Sequence, residues 1–138
     1  MKSLHGFLSP YTEGAYALLR IVSGLLFAFH GMQGLFGVLL PAEYRPHLWS
    51  QGWFGSVIEL VGGLLIAGGL WTTCAAFVAS GTMAVAYVQF HWKFAFDKDF
   101  FPTINHGEMA LVYSVLFFYL ACHGSGRWSV DRARGHRQ

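Results

Sequence analysis

Charged residues are scarce in this chain. Only 12% of its 138 residues are Asp, Glu, Lys or Arg, whereas 54% are hydrophobic; a soluble protein usually contains about 25% charged residues. Because a soluble domain of this size cannot bury so much apolar surface, the composition indicates one domain that lies in a membrane. The net charge of +2 is too small to suggest nucleic-acid binding, and the basic residues gather near the C-terminus instead of forming a stripe with interleaved aromatics.

Cysteine is equally scarce. Cys74 and Cys122 form neither a CxxC motif nor a zinc-binding spacing, and a membrane protein that exchanges thiols with disulfides would need a cysteine pair. Both cysteines are therefore predicted to be small apolar packing residues. Glu13 and Arg20 interrupt the approach to the first apolar segment, and no small-x-small site follows it. This segment is therefore predicted to be retained and not to act as a cleaved signal peptide.

Four apolar segments are present, at roughly residues 16–40, 54–70, 73–91 and 107–123. Each is close to the roughly 20 residues that a spanning helix needs. The predicted fold is all-α, an integral membrane four-helix bundle with one domain over residues 1–138. The link between the second and third segments is very short, which predicts an antiparallel helical hairpin. Trp and Phe at the segment ends are typical of interfacial aromatic belts.

The basic residues predict the orientation of the bundle. An even number of spans puts both termini on one side of the membrane. The terminal segments carry Lys2, Arg127, Arg132, Arg134 and Arg137, and the opposite loops carry Arg45, Lys93 and Lys98. Because basic residues favour the cytoplasmic side, both termini are predicted to be cytoplasmic.

Two glutamates, Glu59 and Glu108, lie in otherwise apolar segments. A charged side chain there costs about 2.5–3.5 kcal/mol on insertion scales, so such a residue normally faces a protein interior or a wet cavity. The helix directions place several other polar residues at the same depth, near the extracytoplasmic side. The predicted catalytic residues are Glu59, Glu108 and His30; the predicted ligand-binding residues are Gln33, Tyr87, His91, Asn105 and His106.

Local spacing refines these predictions. Gly62 and Gly63 follow Glu59 by three and four residues and would leave space beside its carboxyl group. Tyr87 and His91 are four residues apart, so in an α-helix the phenol would stack under the imidazole. Arg20 lies near the cytoplasmic end of the first segment, where its side chain can extend to the interface as a structural anchor. Pairing of Arg20 with Asp131 in the C-terminal tail is the alternative.

Several residues also have simpler explanations. Glu59 and Glu108 are alternatively protonated hydrogen-bond donors between helices, and His30 is alternatively a satisfied core histidine. His91 and His106 lie near the interface, where solvation is the alternative. Asn105 is alternatively an N-cap of the fourth helix, since Asn is favoured there; the remaining residue, Gln33, would then join two helices.

The chemistry of these residues favours proton handling. Two neighbouring carboxyl groups can share one proton, and a nearby histidine can transfer it. Proton-coupled handling of a membrane-soluble molecule such as a quinone fits this set. Two glutamates with histidines also suit a transition metal, but no HxxH or HExxH spacing occurs. A quinone is therefore the expected cofactor, and no metal ligands are predicted.

Four sequence stretches carry a family resemblance: LLRIVSGLLFAFHGMQGLFG, IELVGGLLIAGGLWT, NHGEMALVYSVLFF and GSGRWSVD. In this order they resemble the DoxX family of small membrane proteins. The resemblance implies a multi-pass four-helix bundle in the cytoplasmic membrane of a bacterium or archaeon. It also implies functional roles at Arg20, His30, Glu59, Asn105 and Glu108. Many relatives have lysine at the position of Gln33, and its loss favours a protonated Glu59 or Glu108.

The sequence is consistent with three functions. The leading hypothesis is a membrane subunit of a redox system, associated with quinone and acting with a partner oxidoreductase. The chain lacks an evident redox centre, which predicts that it does not transfer electrons alone. The second hypothesis is a non-catalytic assembly or carrier protein that binds a lipid-like molecule or a partner helix. The third is handling of a metal or thiol metabolite. Membrane lipid and a protein partner or second copy are the expected contacts.

Overall fold

The computed structural model describes residues 3–39 and 41–135, and its regular structure there is entirely helical. The six α-helices of this part are α1 (Leu4–Leu8), α2 (Thr12–Phe36), α3 (Gln51–Gly68), α4 (Thr72–Ala86), α5 (Glu108–His123) and α6 (Val130–Ala133). Helix α4 continues into a π-helical turn, Tyr87–Trp92. Helices α2 to α5 pack as a bundle, which confirms the predicted fold class.

Three helical segments among the described residues are long and apolar enough to cross a membrane: Leu4–Phe36, Gln51–Gly68 and Thr72–Trp92. Helix α5 is apolar but has only 16 residues, or about 24 Å at 1.5 Å per residue. Helix α2 ends at Phe36 because Gly37 adopts the left-handed conformation (φ 66°) and its N–H donates to the carbonyl of Gln33. Leu40, the predicted end of this span, lies outside the described residues.

Helices α2 and α3 form an antiparallel pair whose backbones meet at glycines. A Cβ atom at Gly24 would lie 2.6 Å from the backbone N of Ala67, and one at Gly31 would lie 2.5 Å from the carbonyl O of Ser56. Gly63 is equally close to its partner helix, since a Cβ added there would lie 2.5 Å from the carbonyl O of Gly24. No side chain fits at these positions, so small residues set the distance between the two helices.

The buried core lies where α2 and α5 meet the small-residue face of α4. The centroid of the Phe27 ring lies 4.7 Å from that of the Phe117 ring and 5.8 Å from that of the Tyr113 ring. Helix α4 presents four small or flexible residues to this core: Ala75, Ala76, Ala79 and Met83. The aromatic residues of the core come from α2 and α5, so the core joins these two helices to α4.

One end of the bundle is closed by the C-terminal tail, through Arg20. This side chain is fully buried. Its Nη1 donates to the carbonyl of Ile66 (3.1 Å), and its Nη2 donates to the carbonyls of Trp128 (2.8 Å) and Arg127 (3.3 Å). Arg20 therefore does not extend to the interface as expected, because backbone carbonyls at the end of α3 and in the tail accept its hydrogen bonds inside the protein.

Asp131 holds the same end from the tail side. Its carboxylate accepts hydrogen bonds from the backbone N–H groups of Trp71 (3.1 Å) and Thr72 (3.3 Å), and its own N–H donates to the carbonyl of Gly69 (3.0 Å). Arg20 and Asp131 thus bond to different backbone groups and not to each other. Because the first N–H groups of α4 have no helical partner, the carboxylate caps that helix.

Replacing Asp131 with asparagine is expected to lower the free energy of unfolding by about 1 kcal/mol, the usual contribution of a helix cap. The amide offers one oxygen, so one of the two N–H groups loses its acceptor. Thermal unfolding in detergent micelles measures the loss. Asp99→Asn, in the loop at the opposite end of the bundle, is the control. Equal unfolding temperatures for the two variants would contradict the capping role.

Candidate functional site

A pocket of about 330 Å³ lies at the end of the bundle opposite the tail. We call it the histidine–glutamate pocket; its lining residues are Phe27, His30, Glu59, Met83, Ala86, His91, His106, Met109, Ala110 and Tyr113. Each of the four long helical segments supplies one polar residue, either from the helix or from the turn beside it. Four of the eight candidate site residues that the sequence analysis placed at one depth thus line one cavity, and mostly apolar side chains form the rest of its wall.

Glu59 reaches the pocket from the middle of α3. The helix begins after Ser50, whose Oγ accepts from the N–H of Trp53 (3.2 Å), so Glu59 follows about two turns later. The side chain is half-buried, and its carboxyl group has no hydrogen-bond partner among the described residues. It also lines a second cavity of about 380 Å³ between α3 and α4. A carboxyl group at this depth without a protein partner is available to a ligand.

His91 lies on the π-helical turn that ends the third span. The wider turn closes with a bond from the N–H of Lys93 to the carbonyl of Val88 (2.8 Å). The His91 Nδ1 lies 3.2 Å from the carbonyl O of Asn105. A carbonyl can only accept, so Nδ1 carries the hydrogen, and Nε2 of the neutral ring is left as an acceptor.

The π-helical turn also changes the place of Tyr87. The prediction that Tyr87 stacks under His91 is wrong, because the π-helix brings residues five apart into line. The Tyr87 ring instead stacks on Trp92, with 6.5 Å between the ring centroids. It also packs against Gly107, where an added Cβ would lie 2.7 Å from the ring. Tyr87 does not line the pocket and supports the loop that carries His106.

Asn105 organises this loop. Its Nδ2 donates to the carbonyl of Asp99 (2.8 Å), and its Oδ1 accepts from the N–H of Gly107 (2.8 Å). The alternative that Asn105 is the N-cap of α5 is wrong, since that position belongs to Gly107. Both ends of the amide are used by the backbone, so Asn105 positions His106 and His91 and does not itself line the pocket.

Glu108 does not share a cavity with Glu59. The buried residues of α5 are Ala110, Tyr113, Phe117 and Leu120, and Glu108 lies off this stripe on the exposed face. It lines a separate groove of about 640 Å³ between α2 and α5. The structure therefore does not bring Glu59 and Glu108 together as two carboxyl groups that could share a proton. Gln33, half-buried one turn beyond His30, does not line the histidine–glutamate pocket either.

No sequence pattern pointed directly to Met109 and Tyr113, which form part of both cavities. They are four residues apart on α5, a spacing that on its own is typical of any packed helix. Within residues 3–39 and 41–135, no group of three or more His, Cys, Asp or Glu residues is arranged to hold a metal ion. The pocket can instead donate hydrogen bonds to a polar ring and accept them from it, while apolar walls enclose that ring.

The chain is similar to one known family of proteins over more than half of its length. The sequence model of the DoxX family matches residues 15–92, which include Arg20, His30, Glu59 and His91. The match ends before Asn105, His106 and Glu108. A protein of Haemophilus influenzae, described as uncharacterized, is 38% identical over 130 residues, which cover 90% of this chain and 93% of that protein. No solved structure matches the chain.

Proposed function

Because the chain belongs to the DoxX family of membrane proteins, we propose that it is a membrane subunit of a redox system. In this role it binds the ring of a quinone in the histidine–glutamate pocket, and a partner oxidoreductase supplies the electrons. The observation that carries the proposal is the set of three imidazoles and one unpaired carboxyl group, brought together by four helical segments in a lipid-embedded bundle.

The polar groups fit both redox states of a quinone. Quinone carbonyls accept hydrogen bonds, and quinol hydroxyls donate them. A histidine or a protonated carboxyl group can donate, while a neutral histidine or a carboxylate can accept. Reduction of the quinone takes two electrons from the partner protein and two protons. Glu59 and one of the histidines, His30 or His106, are placed to deliver those protons.

The apolar wall suits a flat ring. Phe27 and Tyr113 contribute aromatic faces, with their centroids 5.8 Å apart, and Met83 adds a flexible side chain that adapts to the shape of a bound ring. The pocket volume of about 330 Å³ falls within the range of about 300–1,000 Å³ for small-molecule sites. The described side chains thus allow a ring to be enclosed while its oxygens meet polar groups.

The orientation that we propose places both termini in the cytoplasm of a bacterial or archaeal cell and the pocket near the outer face. The greater number of basic residues in the terminal segments supports it. Aromatic clusters at the pocket end also support an interfacial position. In one of them Trp92 contacts Phe94, Phe96 and Phe100, with centroids 5.3–6.0 Å apart.

Glu59→Gln tests the proposed function. In nanodiscs, we expect the variant to bind decylubiquinone about tenfold more weakly, since a factor of ten corresponds to about 1.4 kcal/mol and one hydrogen bond to a charged group contributes about that much. Titration calorimetry measures the dissociation constant. Glu13→Gln, exposed at the opposite end, is the control and should bind like the wild-type protein. Failure of the wild-type protein to bind decylubiquinone would overturn the proposal.

A second candidate function is membrane assembly without catalysis. It is favoured by an apolar groove of about 630 Å³ between α3 and α4, which Gly62, Trp71 and Cys74 help to line. A Cβ added at Gly62 would meet no atom of the described residues within 4 Å, and the same holds at Gly55 and Gly81, which line the neighbouring cavity of about 380 Å³ between α3 and α4. Such open glycines accept a close helix from a partner or a second copy. Loss of complex yield in Gly62→Leu, with quinone binding unchanged, would support this function.

A further inference from the structure

The groove that holds Glu108 opens toward the lipid along the seam between α2 and α5. Its lining residues are Leu19, Val22, Ser23, Leu26, His106, Glu108, Met109, Val112, Tyr113 and Leu116. The charged and imidazole groups, Glu108 and His106, lie at the end nearest the histidine–glutamate pocket, where α5 begins. The remainder is almost entirely apolar, so the groove matches the long tail of an amphiphilic molecule and not its polar head.

The groove and the pocket share one wall. His106, Met109 and Tyr113 line both cavities. Tyr113 is buried and packs against Phe27, so this lower part of the wall is fixed. Met109 is 58% exposed and unbranched, and methionine adopts many side-chain conformations at little cost. Rotation of Met109 can therefore open a connection between the two cavities while Tyr113 stays in place.

We propose that a quinone enters from the lipid through this groove, passes Met109, and is held with its ring in the pocket and its isoprenoid tail in the groove. The inference rests on the proposed function and adds the route and the preferred class of ligand, a long-tailed quinone. A phospholipid acyl chain would fill the groove as well, but it carries no group that reaches the pocket beyond Met109.

Two valines on α5 provide a matched test. Val112 lines the groove, whereas Val115 lines neither the groove nor the pocket; their side chains are 63% and 64% exposed. The affinities of a long-tailed photoreactive quinone and of a tailless ring quinone are measured in nanodiscs. In Val112→Trp, the ratio of the two affinities should fall about tenfold, since the indole takes the place of the tail. Val115→Trp should keep the wild-type ratio.

Peptide mapping of the photolabelled protein separates the outcomes. Labels on the pocket helices and on the Val112 peptide of the wild-type protein support the route. An unchanged affinity ratio in Val112→Trp, with the pocket still labelled, would overturn the route and leave the proposed function intact. If only the groove is labelled and added phosphatidylethanolamine displaces the label, the groove is a lipid site, and this result would overturn the route as well. A wild-type protein that takes no label in the pocket contradicts the proposed function itself.

A second variant covers the case in which Val112→Trp does not fold. Val22→Trp fills the same groove from α2, and its side chain is 46% exposed. It should lower the affinity ratio by a similar factor. If Val22→Trp folds, as judged by its unfolding temperature, and keeps the wild-type ratio, the tail does not occupy the groove.

Discussion

Arg20→Ala is expected to unfold well below the temperature of the wild-type protein, with a loss of about 3 kcal/mol or more in the free energy of unfolding. A hydrogen bond from a charged group contributes about 1.5–3 kcal/mol, and Arg20 makes three of them to the carbonyls of Ile66, Arg127 and Trp128. Alanine removes the shared donor that joins α3 to the tail, although the carbonyl of Ile66 keeps the N–H of Gly69, and it removes a large side chain from a packed site.

Two further variants separate charge from geometry at this position. Arg20→Lys keeps the cation, but a single ammonium group cannot replace a planar guanidinium that donates to acceptors in both α3 and the tail. We expect Arg20→Lys to lose about half as much free energy of unfolding as Arg20→Ala. Arg127→Ala removes an exposed side chain and keeps the backbone carbonyl that Arg20 contacts, so it should unfold like the wild-type protein.

The measurement combines thermal unfolding in detergent with protease accessibility of the tail. In Arg20→Ala the tail should be cleaved under conditions in which that of Arg127→Ala stays intact. If Arg20→Ala keeps both the wild-type unfolding temperature and a protected tail, then the network around Arg20 does not hold this end of the bundle.

Gly63→Leu is expected to separate α2 from α3, with a loss of about 3 kcal/mol or more, at the upper end of the range for overpacked cores. The added Cβ would lie 2.5 Å from the carbonyl O of Gly24 and 2.8 Å from the Cα of Ala28. Both neighbours are backbone atoms, which cannot turn aside as a flexible side chain can. The two helices must therefore move apart along their length.

The neighbouring glycine is the matched control. A Cβ at Gly62 would meet no atom within 4 Å in the part of the chain that the structure describes. The free energy of unfolding of Gly62→Leu should therefore lie within about 1 kcal/mol of that of the wild-type protein, the size of the helix-propensity difference. The unfolding midpoint in a mixed-micelle SDS titration compares the two variants. Equal losses would mean that α2 and α3 do not meet at Gly63.

The helix bundle and the depth of its polar residues follow from simple features of the sequence. Long apolar segments set the number and direction of the helices, and directions alone bring His30, Glu59, His91 and His106 to one level. The face on which each residue lies needs more information. The sequence analysis assigned Gly63 to open space beside Glu59, whereas in the structure Gly63 packs against the backbone of α2.

Two details depend on backbone geometry that no residue pattern in this chain announces. The π-helical turn after Ala86 moves Tyr87 away from His91 and under Trp92. Helix α5 begins at Glu108 with its buried stripe starting at Ala110, which directs Glu108 toward the lipid-facing groove. Sequence alone does not fix a helix boundary to within one or two residues, nor which residues of the helix face the core.

The tail that closes the bundle also sets an order on biosynthesis. Arg20 enters the membrane with α2, but two of its three acceptors, the carbonyls of Arg127 and Trp128, are synthesised only after α5. Until then the nascent protein carries a cation near the end of its first span without these two partners. This end of the bundle is therefore expected to close only after the tail has been synthesised, as the last step in assembly of the bundle.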